Sequence, residues 1–270
     1  MDYRTRIQNI YPTKLLKRLF TTVFIFMLCA LCNIANAQQI NFVTEHLVPF
    51  QIVEKNKAIS GFATEILQAT MQLTPYTYTI EANPWPLSYK LAQKMTDTCI
   101  YSIARIPLRE SLFQWVGEIA RTNSSFFALK GSGIKLNTLE DAKKYVTAVI
   151  KDDFSHHFLR SKGFVENKNL YVMDNHLTLV EILEARKNRI DLMIVSDNLL
   201  RNRISVNKEI DKYKKIASFE DMSIKFNIAC GLNTPPEVVN QMVKALNHIK
   251  QKGTFSAIEQ KWVEKLANEH

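Results

Sequence analysis

Two arginines follow an apolar, strand-like run in the segment CIYSIARIPLRESLFQWVGEI, residues 99–119. A planar guanidinium matches a carboxylate with two parallel hydrogen bonds, and such charge-assisted pairs are about twice as strong as neutral ones. The chemistry that Arg109 suggests is therefore recognition of an anion just beyond a strand. The alternative is an ion pair with a structural acid, Glu110 or Glu118. Arg105 fits a solvent-facing or interdomain role at least as well as a ligand contact.

Polar side chains also follow the other predicted strands. In an open α/β sheet, loops and helix N-termini with free backbone N–H groups gather at the carboxyl ends of the strands, where ligands bind. If two such sheets face each other, these residues are all candidates for lining the cleft between them. Besides the arginines, the candidates are Glu45, Ser102, Asp152, Asp153 and Asp197.

Motifs for several other chemistries are missing from the sequence. It has no Cys-x-x-Cys, no glycine-rich phosphate loop and no Gly-x-Ser-x-Gly elbow. The adjacent pair His156 and His157 would point about 100° apart on a helix, so the two rings could not converge on one ion without other ligands. Basic residues are scattered instead of clustered with aromatic residues. We therefore expect no metal, no cofactor and no nucleic-acid partner.

The N-terminus has the layout of a secretory signal peptide, with basic residues, the apolar run 19–31 and the small residues Ala35 and Ala37. We expect residues 1–37 to be removed by cleavage after Ala37. The rival interpretation is a membrane anchor, but the run is short of the roughly 17 residues that a spanning helix needs. Cleavage would lower the formal charge from +9 to +5, because this segment carries five Lys/Arg and one acid.

Two cysteines, Cys99 and Cys230, remain after cleavage, and both lie in apolar, strand-like runs. In an oxidising compartment they could form one bridge. The alternative is a pair of buried thiols that pack as small hydrophobic groups. The sequence does not decide between a disulfide and two free thiols, and we favour unbridged thiols.

The hydrophobic periodicity predicts alternating strands and helices, which is typical of an α/β fold with mostly parallel sheets flanked by helices. The tail from Pro235 to Trp262 is expected to form two helices broken near Gly253. Strands are expected at 40–44, 76–80, 98–103, 126–130, 146–150, 170–173 and 190–195. Helices are expected at 62–73, 87–94, 138–145, from Ser155, and at 178–187.

In this setting, four blocks of sequence resemble the family 3 extracellular solute-binding proteins of the amino-acid-binding type, between about Ile40 and Trp262. The blocks are VTEHLVPF with GFATEIL, SIARIPLRESLFQWVG, RIDLMIVSD, and NQMVKALNHIKQKGTFSAIEQKW. The resemblance implies a periplasmic-binding-protein-like fold of type II, with two lobes and two hinge strands. Lobe one would comprise residues 38–122 and 227–270, and lobe two residues 123–226. The crossings would lie near 121–125 and 225–228.

The resemblance also implies roles for individual residues. Arg109 occupies the position that grips a ligand's carboxylate, and Trp85, held in a stiff loop between two prolines, and Phe50 would form aromatic walls. Where the family commonly has hydroxyl residues this chain has Ala104 and Ile106, which leaves backbone N–H groups and Ser102 to assist. In lobe two, Ser155 remains a donor and Asp153 makes the site acidic. Asp197, or Ser196 in its place, and Glu45 would receive an amino group.

The resulting expectation is a periplasmic protein that captures a small polar solute, an amino acid or a related zwitterion, by lobe closure. It would act as a monomer and deliver the solute through transient contact with an inner-membrane ABC permease, without catalysis. One alternative is an enzyme on the same scaffold, similar to cyclohexadienyl dehydratase, in which an acid such as Glu45 would transfer protons. Another is a ligand-sensing partner of a membrane kinase.

Overall fold

The computed structural model describes residues 38–174, 179–198 and 212–268. The predicted signal peptide, residues 1–37, lies outside the described residues. The first half of the chain forms the expected alternation of β1 (Gln39–Thr44), α1 (Phe62–Met71), β2 (Thr77–Ala82), α2 (Trp85–Lys94) and β3 (Thr98–Ala104). It is followed by a 3₁₀ helix, Pro107–Leu112, and the long strand β4 (Phe113–Leu129).

The second half of the described chain continues the alternation with shorter strands. It contains a 3₁₀ helix at Glu140–Lys144, then β5 (Thr147–Ile150), α3 (Phe154–Ser161), β6 (Leu170–Met173), α4 (Leu179–Ala185), β7 (Leu192–Ser196) and β8 (Tyr213–Ala217). A further 3₁₀ helix, Glu220–Met222, leads into β9 (Ser223–Gly231), and the chain continues with α5 (Pro236–Gln251) and α6 (Thr254–Asn268). The sequence did not predict β8.

The strands form two sheet regions that share β4. In the first region the order is β2-β1-β3-β9-β4, with β1 parallel to both β2 and β3, and β9 antiparallel to β3 and β4. In the second, β5 is parallel to β6 and β7, while β7 and β8 pair antiparallel with the end of β4. The parallel pairs come from β-α-β units, which need a crossover helix. Among the named strands of the described residues, each antiparallel pair involves β4 or β9.

Strands β4 and β9 therefore connect the two sheet regions. Residues 113–123 of β4 pair with β9, whereas residues 124–129 pair with β7 or β8. The predicted lobe boundaries, 122/123 and 226/227, fall inside these two strands. The division into lobes stays a prediction, and the names lobe one and lobe two are kept here for the residue ranges given above.

Two helical predictions differ from the structure, one in where the helix starts and the other in the type and length of the helix. Trp85 is the first residue of α2 and does not lie in an extended loop. Pro84 and Pro86 favour this start, because proline has no N–H and the first turn of a helix leaves its N–H groups without intrahelical partners. The helix predicted at 138–145 is a short 3₁₀ helix, in which Asp141 Oδ2 accepts hydrogen bonds from the backbone and hydroxyl of Thr138.

The structure joins Cys99 and Cys230 in a disulfide, so the lean towards unbridged thiols was wrong. The two cysteines face each other in the register of β3 and β9. Their positions in the chain are 131 residues apart, and β9 is inserted between β3 and β4 only after the chain has passed through lobe two. The sequence alone does not reveal that pairing.

The C-terminal helices α5 and α6 both pack against α1, and α5 also packs against β4. The buried face of α5 includes Val238, Met242 and Leu246, at the three- and four-residue spacing of an amphipathic helix. The two helices are separated at Gly253, whose φ of +80° suits glycine. Among the described residues, no helix has the length and apolar character needed to cross a membrane.

Candidate binding site between the two lobes

A small cavity of about 30 Å³ lies between the predicted lobes. Four of the residues predicted from sequence line it: Glu45 and Ser102 from lobe one, and Asp153 and Ser155 from lobe two. The other lining residues are Leu47, Ser124, Ile194, Val195, Ser196, Ile224 and Phe226. Of these, Ser196 was considered as a substitute for Asp197, and the rest were missed. Ser124 and Phe226 lie on β4 and β9 within the predicted crossings, and a search of those crossings for inward-facing residues could have found them.

On the lobe-one side, a local irregularity directs Ser102 towards the cavity. Its φ is +59°, and the pairing of β3 with β9 shifts by one residue between Tyr101 and Ile103. Such a bulge re-aims a side chain relative to a regular strand. The Ser102 hydroxyl accepts a hydrogen bond from the fully buried Gln51 side chain. Glu45, one residue past β1, is also buried.

On the lobe-two side, the start of α3 supplies the polar groups. Asp153 is the N-cap of this helix and accepts a hydrogen bond from the backbone N–H of Phe154. The Ser155 hydroxyl donates to the other carboxylate oxygen of Asp153 at 3.2 Å. A carboxylate at this position is favoured by the positive end of the helix dipole. Asp153 is therefore both a structural cap and part of the cavity wall.

Arg109 lies between the lobes with none of its surface exposed. Its Nη1 donates to the backbone oxygen of Ala104 in lobe one at 3.0 Å, and its Nη2 donates to the backbone oxygen of Asp152 in lobe two at 2.6 Å. The guanidinium carbon lies 5.4 Å from the ring centroid of Trp85 and 5.2 Å from that of Tyr89. Ala104 thus contributes a carbonyl to Arg109, in place of the expected backbone N–H towards a ligand.

The acids proposed as alternative partners for Arg109 are engaged elsewhere. Glu110 pairs with the exposed Arg105, and Glu118 pairs with Arg121. Burial lowers the pKa of the Arg109 guanidinium, while Tyr89, Asp153 and Asp152 act in the opposite direction. Its Nε is buried without a hydrogen-bond partner. Arg109 is a desolvated cation held by carbonyls and aromatic rings.

Trp85 shares the same lobe-two acceptor. Its Nε1 donates to the backbone oxygen of Asp152 at 2.8 Å, and its ring stacks on Tyr89. Asp152 has a φ of +57°, in the left-handed region. One carbonyl of lobe two therefore receives hydrogen bonds from two side chains of lobe one. This set of contacts, Trp85 and Arg109 to the carbonyl of Asp152, is called the carbonyl latch below.

Two further predicted residues do not line the small cavity. Phe50 is buried behind it, edge-on to the lining residue Phe226, with ring centroids 5.1 Å apart. Phe50 also lines a separate groove of about 470 Å³ beside α6. Asp197 forms an ion pair with Lys215 at 2.7 Å. The neighbouring Ser196 occupies the cavity wall instead.

A larger groove of about 940 Å³ runs between the loop at Ile106 and the outer face of α3. Its basic side chains are already engaged, because Arg160 pairs with Glu166 and Lys162 with Asp221. The polar groups that could select a solute are concentrated in the small cavity. At about 30 Å³ it has room for one group the size of a water molecule. A whole amino acid could enter only if the lobes part.

The two adjacent histidines do not form a metal site. His156 accepts a hydrogen bond from the backbone N–H of Asp152 and lies 3.0 Å from a carboxylate oxygen of Glu166. The pKa of His157 is lowered to about 4, first by burial and then by the positive charges of Arg109 and His156. Within the described ranges, no group of three or more His, Cys, Asp or Glu residues could hold a metal ion.

Residues 40–265 match the model of the bacterial extracellular solute-binding proteins, family 3. No curated protein matches the chain in sequence. Among solved structures, a histidine kinase sensor domain similar to periplasmic binding proteins superimposes with a TM-score of 0.73 at 16% identity, covering 84% of this chain and 96% of that one.

Two amino-acid-binding proteins are also similar in fold. An ancestral arginine-binding protein bound to arginine has a TM-score of 0.70 at 17% identity, covering 83% of this chain and 97% of its own. The arginine-, lysine-, histidine-binding protein ArtJ from Geobacillus stearothermophilus has a TM-score of 0.68 at 18% identity, covering 83% and 95%. At these identities the structural similarity shows only the fold. The assignment to the family rests on the match of residues 40–265 to the family model.

Proposed function

Because the chain belongs to the bacterial extracellular solute-binding proteins of family 3, we propose that it captures a small polar solute of the amino-acid type between its two lobes. The observation that supports this most is the cavity where carboxylates and hydroxyls of both lobes meet, namely Glu45 and Ser102 opposite Asp153 and Ser155. A solute that bridges the lobes stabilises the closed arrangement by its contacts with both. The arginine-binding neighbours bind ligands of this class.

The proposal includes export and delivery. The predicted signal peptide, cleaved after Ala37, would place a monomeric mature protein in the periplasm. There it would hand its solute to an inner-membrane ABC permease through transient contact. Mass spectrometry of the exported protein tests the first step, with Gln38 expected as the mature N-terminus. A mature chain that still carries the segment 19–31 would contradict it.

A thermal-shift screen of amino acids, amines and carboxylates tests solute capture, since binding to the folded state alone raises Tm. Removing one hydroxyl contact with Ser155→Ala should weaken binding of any hit about tenfold, the equivalent of one hydrogen bond. Ser161→Ala is the matched control, because Ser161 is an exposed serine on the same helix. A hit with equal affinity for both variants would place the solute elsewhere.

The proposal assigns no catalytic step. Incubation of the protein with each hit, followed by NMR of the small molecule, should return the compound unchanged. Conversion of the compound would favour the enzyme alternative, with Glu45 as the acid to examine first. Recovery of unchanged compound together with saturable binding supports a binding protein.

A second candidate is ligand sensing on behalf of a membrane kinase, and it is favoured by the likeness to the histidine kinase sensor domain. Both candidates require solute binding and differ in the protein that receives the closed form. Cross-linking of the exported protein in membranes, with and without the screened solute, separates them. Capture of a permease supports transport, and capture of a kinase supports sensing.

A further inference from the structure

The groove of about 470 Å³ beside α6 lies apart from the cavity between the lobes, and among the described residues the two share no lining residue. Helix α6 lines it with Phe255, Trp262 and Val263, and Phe62 at the start of α1 adds a further ring. Val263 exposes 62% of its surface there. Pockets of this volume are typical of sites for small organic molecules. The groove therefore has room for a ligand with an apolar body.

Trp262 presents an unused hydrogen-bond donor in this groove. The residue is 4% exposed, and its buried Nε1 has no hydrogen-bond partner among the described residues. The other two indoles of the chain both donate to backbone oxygens, Trp85 to Asp152 and Trp115 to Glu110. A buried N–H without an acceptor is destabilising and rare in folded proteins. An acceptor atom on a ligand in the groove would supply the missing partner.

Lys250, near the end of α5, adds a positive charge to the same groove. Its Nζ donates to the backbone oxygen of Glu118 at 2.6 Å and lies 5.4 Å from the ring centroid of Phe255. An ammonium has three donors, and no carboxylate of the described residues forms an ion pair with this one. Although the residue as a whole is exposed, partial burial of the ammonium lowers the pKa of Lys250. A nearby anion would stabilise its charged form.

The remaining charges of the lining leave Lys250 as the main determinant of ligand charge. The carboxylate of Glu118 forms an ion pair with Arg121, so these two charges offset each other. Glu259 is an exposed acid on α6. Water and salt screen the charge of an exposed group more than that of a partly buried one. The donors of the groove therefore favour an anion.

We propose that this groove is a second ligand site, which takes a small organic anion with an apolar body, such as a medium-chain carboxylate. The apolar body would cover Phe62, Phe255 and Val263, and the acceptor atoms would receive hydrogen bonds from Trp262 Nε1 and Lys250 Nζ. This site goes beyond the proposed capture of a solute between the lobes and does not depend on it.

The experiment is isothermal titration calorimetry of the mature protein with octanoate, octan-1-ol and octylamine. These probes have the same chain length and differ in the charge of the head group. We expect octanoate to bind about tenfold more tightly than either of the others, because it alone brings a negative charge to Lys250. Equal or tighter binding of octan-1-ol or octylamine would show that the groove does not select an anion, and would overturn the proposal.

Conservative variants locate the bound octanoate. Trp262→Phe keeps an aromatic ring and removes the N–H, and Lys250→Met keeps the apolar stem and removes the charge. Each should weaken octanoate binding about tenfold, the equivalent of one hydrogen bond, and Lys250→Arg should restore it. Trp115→Phe and Lys252→Met are the matched controls, because neither residue lines the groove. Circular dichroism melts establish that all five variants fold.

A change of the exposed acid tests the sign of the ligand charge a second time. Glu259→Gln should leave octanoate binding unchanged or make it tighter, and weaker binding by this variant would contradict anion recognition. Octanoate that does not bind the parent, or binds Trp262→Phe and Lys250→Met as tightly as the parent, overturns the proposal. So does sedimentation of the parent as a dimer that Val263→Glu converts to a monomer, since the groove would then belong to a second copy of the chain. Solute capture between the lobes stands or falls separately, on the Ser155→Ala test.

Discussion

Arg109 combines two features that rarely occur together, full burial and hydrogen bonds without a carboxylate partner. Removing a guanidinium from water is costly, and the cost is offset here by charge-assisted bonds to two carbonyls and by the faces of Trp85 and Tyr89. Sequence analysis predicted a functional role for this arginine because it follows shortly after a predicted strand. It could not identify the acceptor, because Asp152 lies 43 residues further along the chain.

His157 gives a residue-level prediction about pH. Its pKa of about 4 is held down by burial, Arg109 and His156, against smaller opposite effects of Asp152 and Asp153. In the unfolded chain the imidazole takes up a proton near pH 6.5, while in the folded chain it stays neutral down to about pH 4. The unfolded state therefore binds more protons between these values, so the free energy of unfolding should fall as pH falls through this window.

The measurement is urea unfolding of the parent and of His157→Gln at pH 7 and pH 4.5. Because His157 is only half-buried, we expect the parent to lose roughly 1 kcal/mol more than the variant on acidification. His248→Gln, which changes an exposed histidine on α5, is the control and should follow the parent. Equal losses in the parent and His157→Gln would show that this imidazole does not carry the effect.

At the level of elements, local patterns predicted most strands and helices but not how the sheets close. The periodicity of α1 and α5 and the apolar run of β3 gave elements close to those observed. The antiparallel insertion of β9 between β3 and β4 depends on contacts between distant parts of the chain, which local pattern does not encode. The same applies to the candidate site, where Ser102 was predicted but the bulge that directs it was not.

The disulfide between β3 and β9 leads to a prediction at this scale. The bond closes a loop of 131 residues, so its removal frees the unfolded chain considerably. In the double variant Cys99→Ala/Cys230→Ala, we expect a loss of about 3 kcal/mol in the free energy of unfolding. For a chain of this size this loss corresponds to a decrease in Tm of roughly 6 to 12 °C.

Differential scanning calorimetry with and without a phosphine reductant measures this effect. The reductant should lower the Tm of the parent towards that of the double variant and leave the variant unchanged. If the Tm of the parent is the same with and without reductant, the disulfide between these strands does not stabilise the fold.

At the scale of the whole molecule, the carbonyl latch and the solute would both act on the proposed equilibrium between open and closed lobes. The latch holds lobe one to lobe two through protein contacts alone, while the cavity is too small for a whole amino acid. In the proposed cycle, opening of the lobes would break the latch, and a bound solute would offer both lobes new contacts in its place. A ligand shifts such an equilibrium only by its difference in affinity for the two states.

The latch should therefore be weakened by removing a single N–H group. Trp85→Phe keeps an aromatic ring over Arg109 but loses the hydrogen bond to Asp152, worth about 1 kcal/mol, and should shift the closed-to-open ratio about fivefold towards open. Small-angle X-ray scattering of the solute-free protein should then give a larger radius of gyration for this variant. Trp115→Phe is the control, because the Trp115 indole donates to Glu110 within lobe one. An equal radius for the parent, Trp85→Phe and the double variant Trp85→Phe/Arg109→Lys would mean that contacts other than the latch hold the lobes together.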